Sequence, residues 1–227
     1  MIKAVIFDLD NTLYSYDRAH AAAWEALCRC AEDRLGLPRE RFDALHAEAN
    51  RILTLRCGGG PALHNRLIRC QVILELAGLP IGEAPAMADR YWQTLLDHME
   101  AEPGAAEALQ ALRALGLRIG VGTNMTADWQ FAKLKKLDML RRVDFLVTSE
   151  EAGAEKPDAR LFALCAEKAD CPPGNCAFIG DSLKGDALGA NAAGMRGIWL
   201  NRAGREVPEG VVAIRTLTEL PDLLHCL

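Results

Sequence analysis

The stretch V-I-F-D-L-D-N-T-L at residues 5–13 places two carboxylates directly behind a run of apolar side chains. Residues 3–7 are almost continuously apolar, which is typical of a parallel strand that is covered on both faces. Asp8 and Asp10 follow at a spacing of two, so an extended backbone would direct both side chains to the same side. The stretch therefore predicts a buried first strand that delivers a pair of acids to one edge of a sheet.

Beyond the first strand, the sequence changes to long segments rich in Ala and Leu at helical spacing. Breaks at Gly and Pro divide this region, including the run Gly58–Gly60. The pattern predicts roughly four helices and no strand, with the helices near 17–35, 38–56, 61–77 and 84–99.

From residue 104 onward, predicted helices alternate with predicted strands. The helices fall at 104–115, 127–137, 158–169, 183–193 and 216–224, and the strands at 117–122, 144–148, 176–179, 196–200 and 211–214. This alternation predicts an α/β fold, a Rossmann-like parallel sheet with helices on both faces. We expect a core domain of residues 1–14 and 100–227 and a small all-helical domain of residues 15–99.

Composition narrows the class of protein further. The chain has 227 residues, of which 50% are apolar and 25% charged, and its formal net charge is −5. This balance gives no general attraction to nucleic acid or to an anionic membrane, and we read neither a signal peptide nor a membrane-spanning stretch. The eight cysteines lack C-x-x-C spacing, so we expect reduced thiols in a cytoplasmic protein whose oligomeric state the sequence leaves open.

Polar motifs follow four of the predicted strands. In an open parallel sheet, ligands bind beyond the carboxyl ends of the strands, where the strand order reverses. Each of these motifs alone has a plain structural interpretation as a turn or a helix cap. Four of them at the same edge favour a functional site, which we expect to comprise Asp8, Asp10, Thr123, Asn124, Lys156, Asp181 and Asp186.

This set of side chains suits phosphoryl transfer through a covalent aspartyl-phosphate. Mg²⁺ prefers oxygen ligands, which Asp8 and Asp181 can supply. An ionised Asp8 can attack phosphorus, while Asp10 can protonate the leaving oxygen and later take a proton from water. Thr123 can donate a hydrogen bond to a phosphoryl oxygen, and Lys156 adds positive charge. The sequence therefore predicts magnesium-assisted phosphoryl transfer at this edge of the sheet.

The four motifs resemble those of the haloacid dehalogenase-like hydrolase superfamily: D-L-D-N-T at 8–12, T-N at 123–124, K-P at 156–157 and G-D-S-x-x-x-D at 180–186. The resemblance spans essentially the whole chain, and the helical block resembles the family's cap domain, which lies between motifs one and two. It implies a nucleophile at Asp8, an acid/base at Asp10, and phosphoryl binding by Thr123, Asn124 and Lys156.

The same resemblance implies how Mg²⁺ would be held. Its ligands would be Asp8, the backbone carbonyl of Asp10, and Asp181. Asp186 would not bind the metal directly. It would contact the metal through a water molecule or hold Lys156 in place.

The superfamily also contains dehalogenases and phosphomutases, so alternatives to a phosphatase exist. Dehalogenases need neither magnesium nor the second acid of the first motif, and the presence of Asp10 and Asp181 favours phosphate chemistry. Phosphomutases typically carry cap residues that are not recognisable here. A non-catalytic binding module of this fold would be expected to lose motif residues, and all of them are present.

The helical block contains a cationic segment at residues 49–74, with four arginines and no acid: Arg51, Arg56, Arg66 and Arg69. Two interpretations remain open, namely a surface that meets an anionic substrate and a solvated helix face. Because a lidded site admits small molecules, we expect a small phosphorylated metabolite as substrate. The stretch at 148–158 is similar to that of nucleotide or small-sugar phosphatases, which does not decide between those classes.

Overall fold

A computed structural model describes residues 1–58 and 60–225 of the chain. The chain divides into two compact units. The core unit consists of Met1–Ser15 and the chain from Glu100 onward, and the helical unit consists of Tyr16–Met99. Gly59, in the predicted break at Gly58–Gly60, and Cys226 lie outside the described residues.

One six-stranded sheet forms the centre of the core unit. Its strands are β1 Ala4–Phe7, β2 Arg118–Thr123, β3 Phe145–Thr148, β4 Cys176–Gly180, β5 Arg196–Leu200 and β6 Val212–Ile214. They are ordered β3-β2-β1-β4-β5-β6, and all pairings are parallel. The predicted α/β class with a parallel sheet is confirmed.

The helices of the described residues divide between the two units. The helical unit contains α1 Tyr16–Leu35, α2 Arg39–Cys57, α3 Arg66–Ala77 and α4 Ala84–Asp97. The core unit contains α5 Ala105–Ala114, α6 Ala127–Lys136, α7 Ser149–Ala152, α8 Ala159–Ala169, α9 Gly189–Ala192 and α10 Leu220–His225. No helix of this part of the chain is long and apolar enough to cross a membrane.

Both faces of β1 are buried, as its continuous apolar sequence predicts. Ala4 and Ile6 on one face pack into a cluster with Phe178 of β4 and Phe162 of α8. The alternate residues, including Phe7, are equally inaccessible to solvent. The strand is therefore a central element of the core, which holds its carboxyl end in a defined position.

The strand order reverses at β1, and this reversal decides where the site lies. Phe7 at the end of β1 is paired with Val121 of β2 on one side and with Ile179 of β4 on the other. In doubly wound sheets such a switch point leaves a crevice beyond the carboxyl ends of the strands. The residue that enters this crevice directly after β1 is Asp8.

Three helices differ from the sequence prediction at their starts, and the last of them, predicted at 216–224, begins as a 3₁₀ turn, Leu217–Glu219. The helix predicted at 61–77 begins as a 3₁₀ turn, Pro61–His64, and α3 starts only after Asn65, whose side chain accepts a hydrogen bond from the Ile68 amide at 3.1 Å. The helix predicted at 183–193 begins as a π-helical turn, Leu183–Leu188. Side-chain capping at Asn65 explains the first difference, and single π-helical turns often occur at functional sites.

The seven cysteines of the described residues are unbonded thiols. This agrees with the expectation of reduced cysteines for that part of the chain. They serve as small apolar side chains in several places, for example Cys165 and Cys176 in the core cluster.

Candidate active site

Asp8 extends β1 by one residue into the crevice. Its amide donates a hydrogen bond to the carbonyl of Ile179 at 2.8 Å, which continues the pairing with β4. The side chain is buried, and Lys156 Nζ lies 2.6 Å from its Oδ1. Burial raises the pKa of Asp8 to about 7, and the charges of Asp186 and Asp10 add to this, while Lys156 opposes it. Asp8 therefore needs nearby positive charge to act as an ionised nucleophile at neutral pH.

Lys156 joins two of the acids. Its Nζ also lies 2.7 Å from Asp186 Oδ1, and both side chains are almost fully buried. Burial by itself would lower the pKa of Lys156, but the carboxylates of Asp186 and Asp8 raise it above its ordinary value. The ammonium is therefore charged, and the amide of Lys156 is anchored by Asn124 Oδ1 at 2.9 Å. Asn124 thus positions the lysine loop in addition to any contact with substrate.

The loop after β4 supplies the other acids of the site. Asp186 accepts a hydrogen bond from the Ser182 amide at 2.9 Å and lies directly over Gly180. A Cβ at position 180 would be 2.1 Å from Asp186 Oδ2, so only glycine leaves room for this carboxylate. Asp181 is connected to the first motif, because its amide donates to Thr12 Oγ1 at 3.2 Å.

Three carboxylates form a group that could hold a metal ion. Oxygen atoms of Asp8, Asp181 and Asp186 lie within 4.8 Å of one another. Burial, and next the charge of Asp186, raises the pKa of Asp181 to about 6. A divalent cation would relieve this crowding of like charges, and an all-oxygen donor set suits Mg²⁺. Asp186 thus contributes its carboxylate to this group. The contribution expected from Asp10 is different, since its backbone carbonyl and not its side chain would bind the metal.

The side chain of Asp10 is held by residues of its own loop and of α6. Lys133 Nζ lies 2.6 Å from Oδ1, Gln130 Nε2 donates to Oδ2 at 3.3 Å, and the Tyr14 hydroxyl donates to Oδ1. Burial would raise the pKa of Asp10, but Lys133 and these hydrogen bonds lower it below its ordinary value. Asp10 is therefore a carboxylate at neutral pH in this state, ready to accept a proton.

Thr123 at the end of β2 is oriented by the same helix. Gln130 Nε2 donates to Thr123 Oγ1 at 2.7 Å and to the Asn124 carbonyl at 2.9 Å. Because the Thr123 hydroxyl accepts from Gln130, its own proton is available to donate, and it points to the Asn124 carbonyl at 3.2 Å. A phosphoryl oxygen could take over that hydrogen bond.

Comparison with known proteins agrees with this arrangement. The family model described as haloacid dehalogenase-like hydrolase matches residues 2–194. The chain belongs to this family. This match confirms that the chain is a haloacid dehalogenase-like hydrolase, as the four motifs predict.

Relatives with assigned activities include several phosphatases. The chain is 36% identical to ribulose-1,5-bisphosphate 5-phosphatase of Halopiger xanaduensis, over 99% of this chain and 100% of that protein. It is 29% identical to glyceraldehyde 3-phosphate phosphatase of Methanopyrus kandleri, over 89% of this chain and 85% of that protein. These relatives support the predicted phosphatase activity.

A solved structure with the same fold is named for a different activity. The 2-haloacid dehalogenase from Pseudomonas syringae pv. tomato superposes with a TM-score of 0.80 and 28% identity, and the match covers 100% of this chain and 99% of that one. The fold by itself therefore does not choose between the two chemistries, and the side chains of the site must do so.

In this haloacid dehalogenase-like hydrolase, three residues that contact the site were not predicted from the sequence: Gln130, Lys133 and Arg202. Gln130 and Lys133 lie three apart and are both fully buried, so one face of α6 carries polar groups into the core. A Gln and a Lys at that spacing just after Thr123-Asn124 are the signal that could have indicated them. Arg202 has no such local signal, yet it donates to the carbonyls of Asn11 at 2.6 Å and Thr12 at 3.0 Å.

The four arginines of the cationic segment at residues 49–74 do not share one surface of this hydrolase. Arg51 pairs with Glu48 at 2.6 Å on an exposed face of α2, and Arg56 is also exposed. For these two arginines the solvated interpretation is right. Arg66 and Arg69 instead turn toward aromatic and polar side chains of the helical unit.

Proposed function

We propose that the chain is a Mg²⁺-dependent phosphatase that hydrolyses small phosphate monoesters through an aspartyl-phosphate on Asp8. The observation that carries the proposal is the group formed by Asp8, Lys156, Asp181 and Asp186 at the switch point of the sheet. A buried nucleophile with a raised pKa beside a charged ammonium is typical of a functional site. The helical unit takes the role of the family's cap domain.

Mg²⁺ would be held by Asp8 and Asp181, with the Asp10 carbonyl and Asp186 as further oxygen donors. When bound, it supplies positive charge that offsets the phosphate charge and favours the ionised form of Asp8. The fit rests on the crowding of three carboxylates within 4.8 Å, of which those of Asp8 and Asp186 are buried.

In the first step, an oxygen of Asp8 attacks phosphorus, and the bond between phosphorus and the leaving oxygen breaks. Asp10 gives the leaving oxygen its proton. Because Asp10 is ionised before substrate binds, it must first take up a proton, and the negative charge of an incoming phosphoryl group favours this by raising its pKa. Thr123 and Lys156 stabilise the phosphoryl oxygens as charge develops on them.

In the second step, water attacks the phosphorus of the aspartyl-phosphate. Asp10, again a carboxylate, takes the proton from water, and the bond between phosphorus and the Asp8 oxygen breaks. Inorganic phosphate leaves and Asp8 is restored. Lys133, 2.6 Å from Asp10, supports the carboxylate form that this step needs.

Two features favour a phosphatase over a dehalogenase of the same fold. A dehalogenase would need no proton donor for its halide leaving group, whereas Asp10 here has a dedicated set of partners. It would also need no metal, whereas three acids are crowded beside Lys156. Both features are explained by phosphate chemistry.

We infer a small phosphorylated metabolite as substrate, since relatives of this chain are named for sugar and triose phosphates. The test is a panel of sugar phosphates, triose phosphates, phosphoglycolate and nucleoside monophosphates, assayed for released phosphate with Mg²⁺ and with EDTA. We expect hydrolysis of at least one member that depends on Mg²⁺. Halide release from 2-haloacids together with no hydrolysis of any phosphate ester would overturn the proposal.

A further inference from the structure

Arg66 is partly buried in the helical unit, where neutral oxygen atoms hold it. Its Nη2 donates to the hydroxyls of Tyr16 at 3.1 Å and Tyr91 at 3.2 Å, and its Nη1 donates to the His64 carbonyl at 3.2 Å. The guanidinium carbon lies 4.8 Å from the centre of the Tyr91 ring. Burial would lower the pKa of Arg66, but the phenols of Tyr91 and Tyr16 raise it, so the group is charged.

Arg69 lies one turn further along α3 and adds a second positive charge. It donates to the Leu63 carbonyl, while its Nε is buried and has no acceptor. Burial first, and then the charge of Arg66, lowers the pKa of Arg69 to about 10. Two guanidiniums are therefore close enough to repel each other, and one buried donor is left unsatisfied, which costs free energy.

Neither arginine has a carboxylate partner among the described residues. The ion pairs within the helical unit use other arginines: Arg29 with Glu25, Arg34 with Glu83, Arg39 with Glu25 and Asp43, and Arg51 with Glu48. Partly desolvated cations without a counter-ion cost free energy, and proteins usually compensate this cost. No carboxylate of the described part of this unit forms an ion pair with Arg66 or Arg69.

Two histidines beside the arginines add hydrogen-bonding groups and no charge. Burial, and next Arg66, lowers the pKa of His20, while burial, Arg69 and Arg66 lower that of His46 to about 4. His20 Nδ1 is 2.7 Å from the Tyr91 hydroxyl, and its ring stacks on Tyr16 at 5.2 Å. His20 therefore fixes the two tyrosines that contact Arg66, so the site is preorganised.

We propose that Arg66 and Arg69, with Tyr16, Tyr91 and His20, form an anion-binding site of the helical unit that takes a phosphate or carboxylate group. A guanidinium matches both groups with paired hydrogen bonds, and the partial burial of the two arginines strengthens the contact. The anion has two possible sources, a second anionic group of the substrate or a free anion. The first of these rests on the proposed phosphatase function, whereas the site itself does not.

The first experiment measures anion binding without any reaction. Thermal unfolding of the full chain is followed in EDTA with increasing inorganic phosphate or sulfate, for the wild type, Arg69→Gln, Arg66→Gln and the exposed control Arg51→Gln. We expect anions to raise the Tm of the wild type and of Arg51→Gln. In the cluster variants, Arg66→Gln and Arg69→Gln, about half of that rise or more should be lost. The remainder is expected because the reaction site also binds anions.

Arg69→Gln separates a binding role from a structural one. Because this change removes repulsion and a buried unsatisfied donor, we expect its Tm in anion-free buffer to equal or exceed that of the wild type. An Arg69→Gln protein that is less stable without anions but gains as much Tm from them as the wild type would mean that the cluster is structural. That result would overturn the proposal.

The second experiment identifies the source of the anion. It compares kcat/KM for the bisphosphate and the monophosphate of one sugar in the same four proteins. If the site binds a second group of the substrate, the ratio should fall by about tenfold to a hundredfold in the cluster variants and not in Arg51→Gln. If the ratio is unchanged while the anion-dependent Tm rise is lost, the source is a free anion.

The two hypotheses fail in different ways. A wild type that releases halide from 2-haloacids and hydrolyses no phosphate ester would overturn the proposed function, while the thermal experiment would still decide on the anion site. An active wild type whose anion-dependent Tm rise and substrate ratio survive both substitutions would overturn the anion site alone.

Discussion

The ammonium of Lys133 lies 2.6 Å from Asp10 Oδ1, and the Lys133 side chain is fully inaccessible to solvent. This lysine stands on α6, far in sequence from the acid it holds. Together with Gln130, it ties Asp10, the proposed acid/base, to Thr123, the proposed phosphoryl-binding residue, because Gln130 donates to both side chains. The side chains of Asp10 and Thr123 are therefore positioned by one helix.

Replacing Lys133 should therefore impair catalysis through Asp10. In Lys133→Met the chain length is nearly kept, but the carboxylate loses its buried cation and its pKa rises. We expect kcat to fall by about tenfold or more, with a smaller change in KM. Because the pKa of Asp10 rises, the pH optimum of the activity should shift to higher pH. Lys135→Met, an exposed change on the same helix, is the control. An unchanged pH profile in Lys133→Met would contradict the positioning role.

Asp8→Asn should abolish phosphatase activity while the protein remains folded. An amide does not attack phosphorus, and its shape is close to that of the carboxylate. Released phosphate measures the activity, and circular dichroism with thermal unfolding verifies the fold. Wild-type turnover in a cleanly folded Asp8→Asn protein would refute the aspartyl-phosphate mechanism.

Asp10→Asn should lower the rate by about a hundredfold or more, the usual scale for a positioned acid/base. The loss should be smaller for p-nitrophenyl phosphate than for an alkyl phosphate, because a good leaving group needs less protonation. Steady-state kinetics on both esters measures the difference. Equal losses for the two esters would speak against the acid role of Asp10.

Metal binding should depend on pH. The pKa values of Asp8 and Asp181 are raised to about 7 and about 6, so protons compete with Mg²⁺ below these values. Because the folded-state pKa of Asp8 is raised, its contribution to the stability of the metal-free protein is greatest at low pH and is lost as pH rises through about 7. We therefore expect the rise in Tm caused by Mg²⁺ to grow between about pH 5 and pH 8.

The measurement is thermal unfolding across this pH range in EDTA and in excess Mg²⁺. Asp8→Asn is the matched variant, and it should reduce the pH dependence in EDTA because one of the two titrating groups is gone. A Mg²⁺ effect of the same size at every pH would show that these carboxylates do not titrate against the metal.

Gly180→Ala tests the close packing behind the acids. The added Cβ would meet Asp186 Oδ2 at 2.1 Å, so the Asp186 carboxylate must move away from Lys156. We expect weaker Mg²⁺ affinity and a lower rate, measured by activity against metal concentration. Gly82→Ala is the control, since an added Cβ meets no atom within 4 Å there. Wild-type behaviour of Gly180→Ala would mean that Asp186 is not needed in its observed position.

The sequence alone determined the α/β fold and the order of its motifs, because these depend on patterns within short segments. An apolar run that ends in D-x-D, and strands that alternate with helices, are local features, and parallel topology then brings every strand's carboxyl end to one edge. The residues expected at that edge include Asp8, Lys156 and Asp186, which lie in direct contact.

Only the tertiary structure decided which partners these residues have. Lys133 reaches Asp10 across 123 positions of sequence, and Arg202 reaches Asn11 across 191. The same holds for the arginines, where Arg51 faces solvent and Arg66 meets two tyrosines from other helices. Such contacts depend on how distant segments pack, and the burial of a charged side chain is decided by its neighbours in space rather than by its neighbours in the chain.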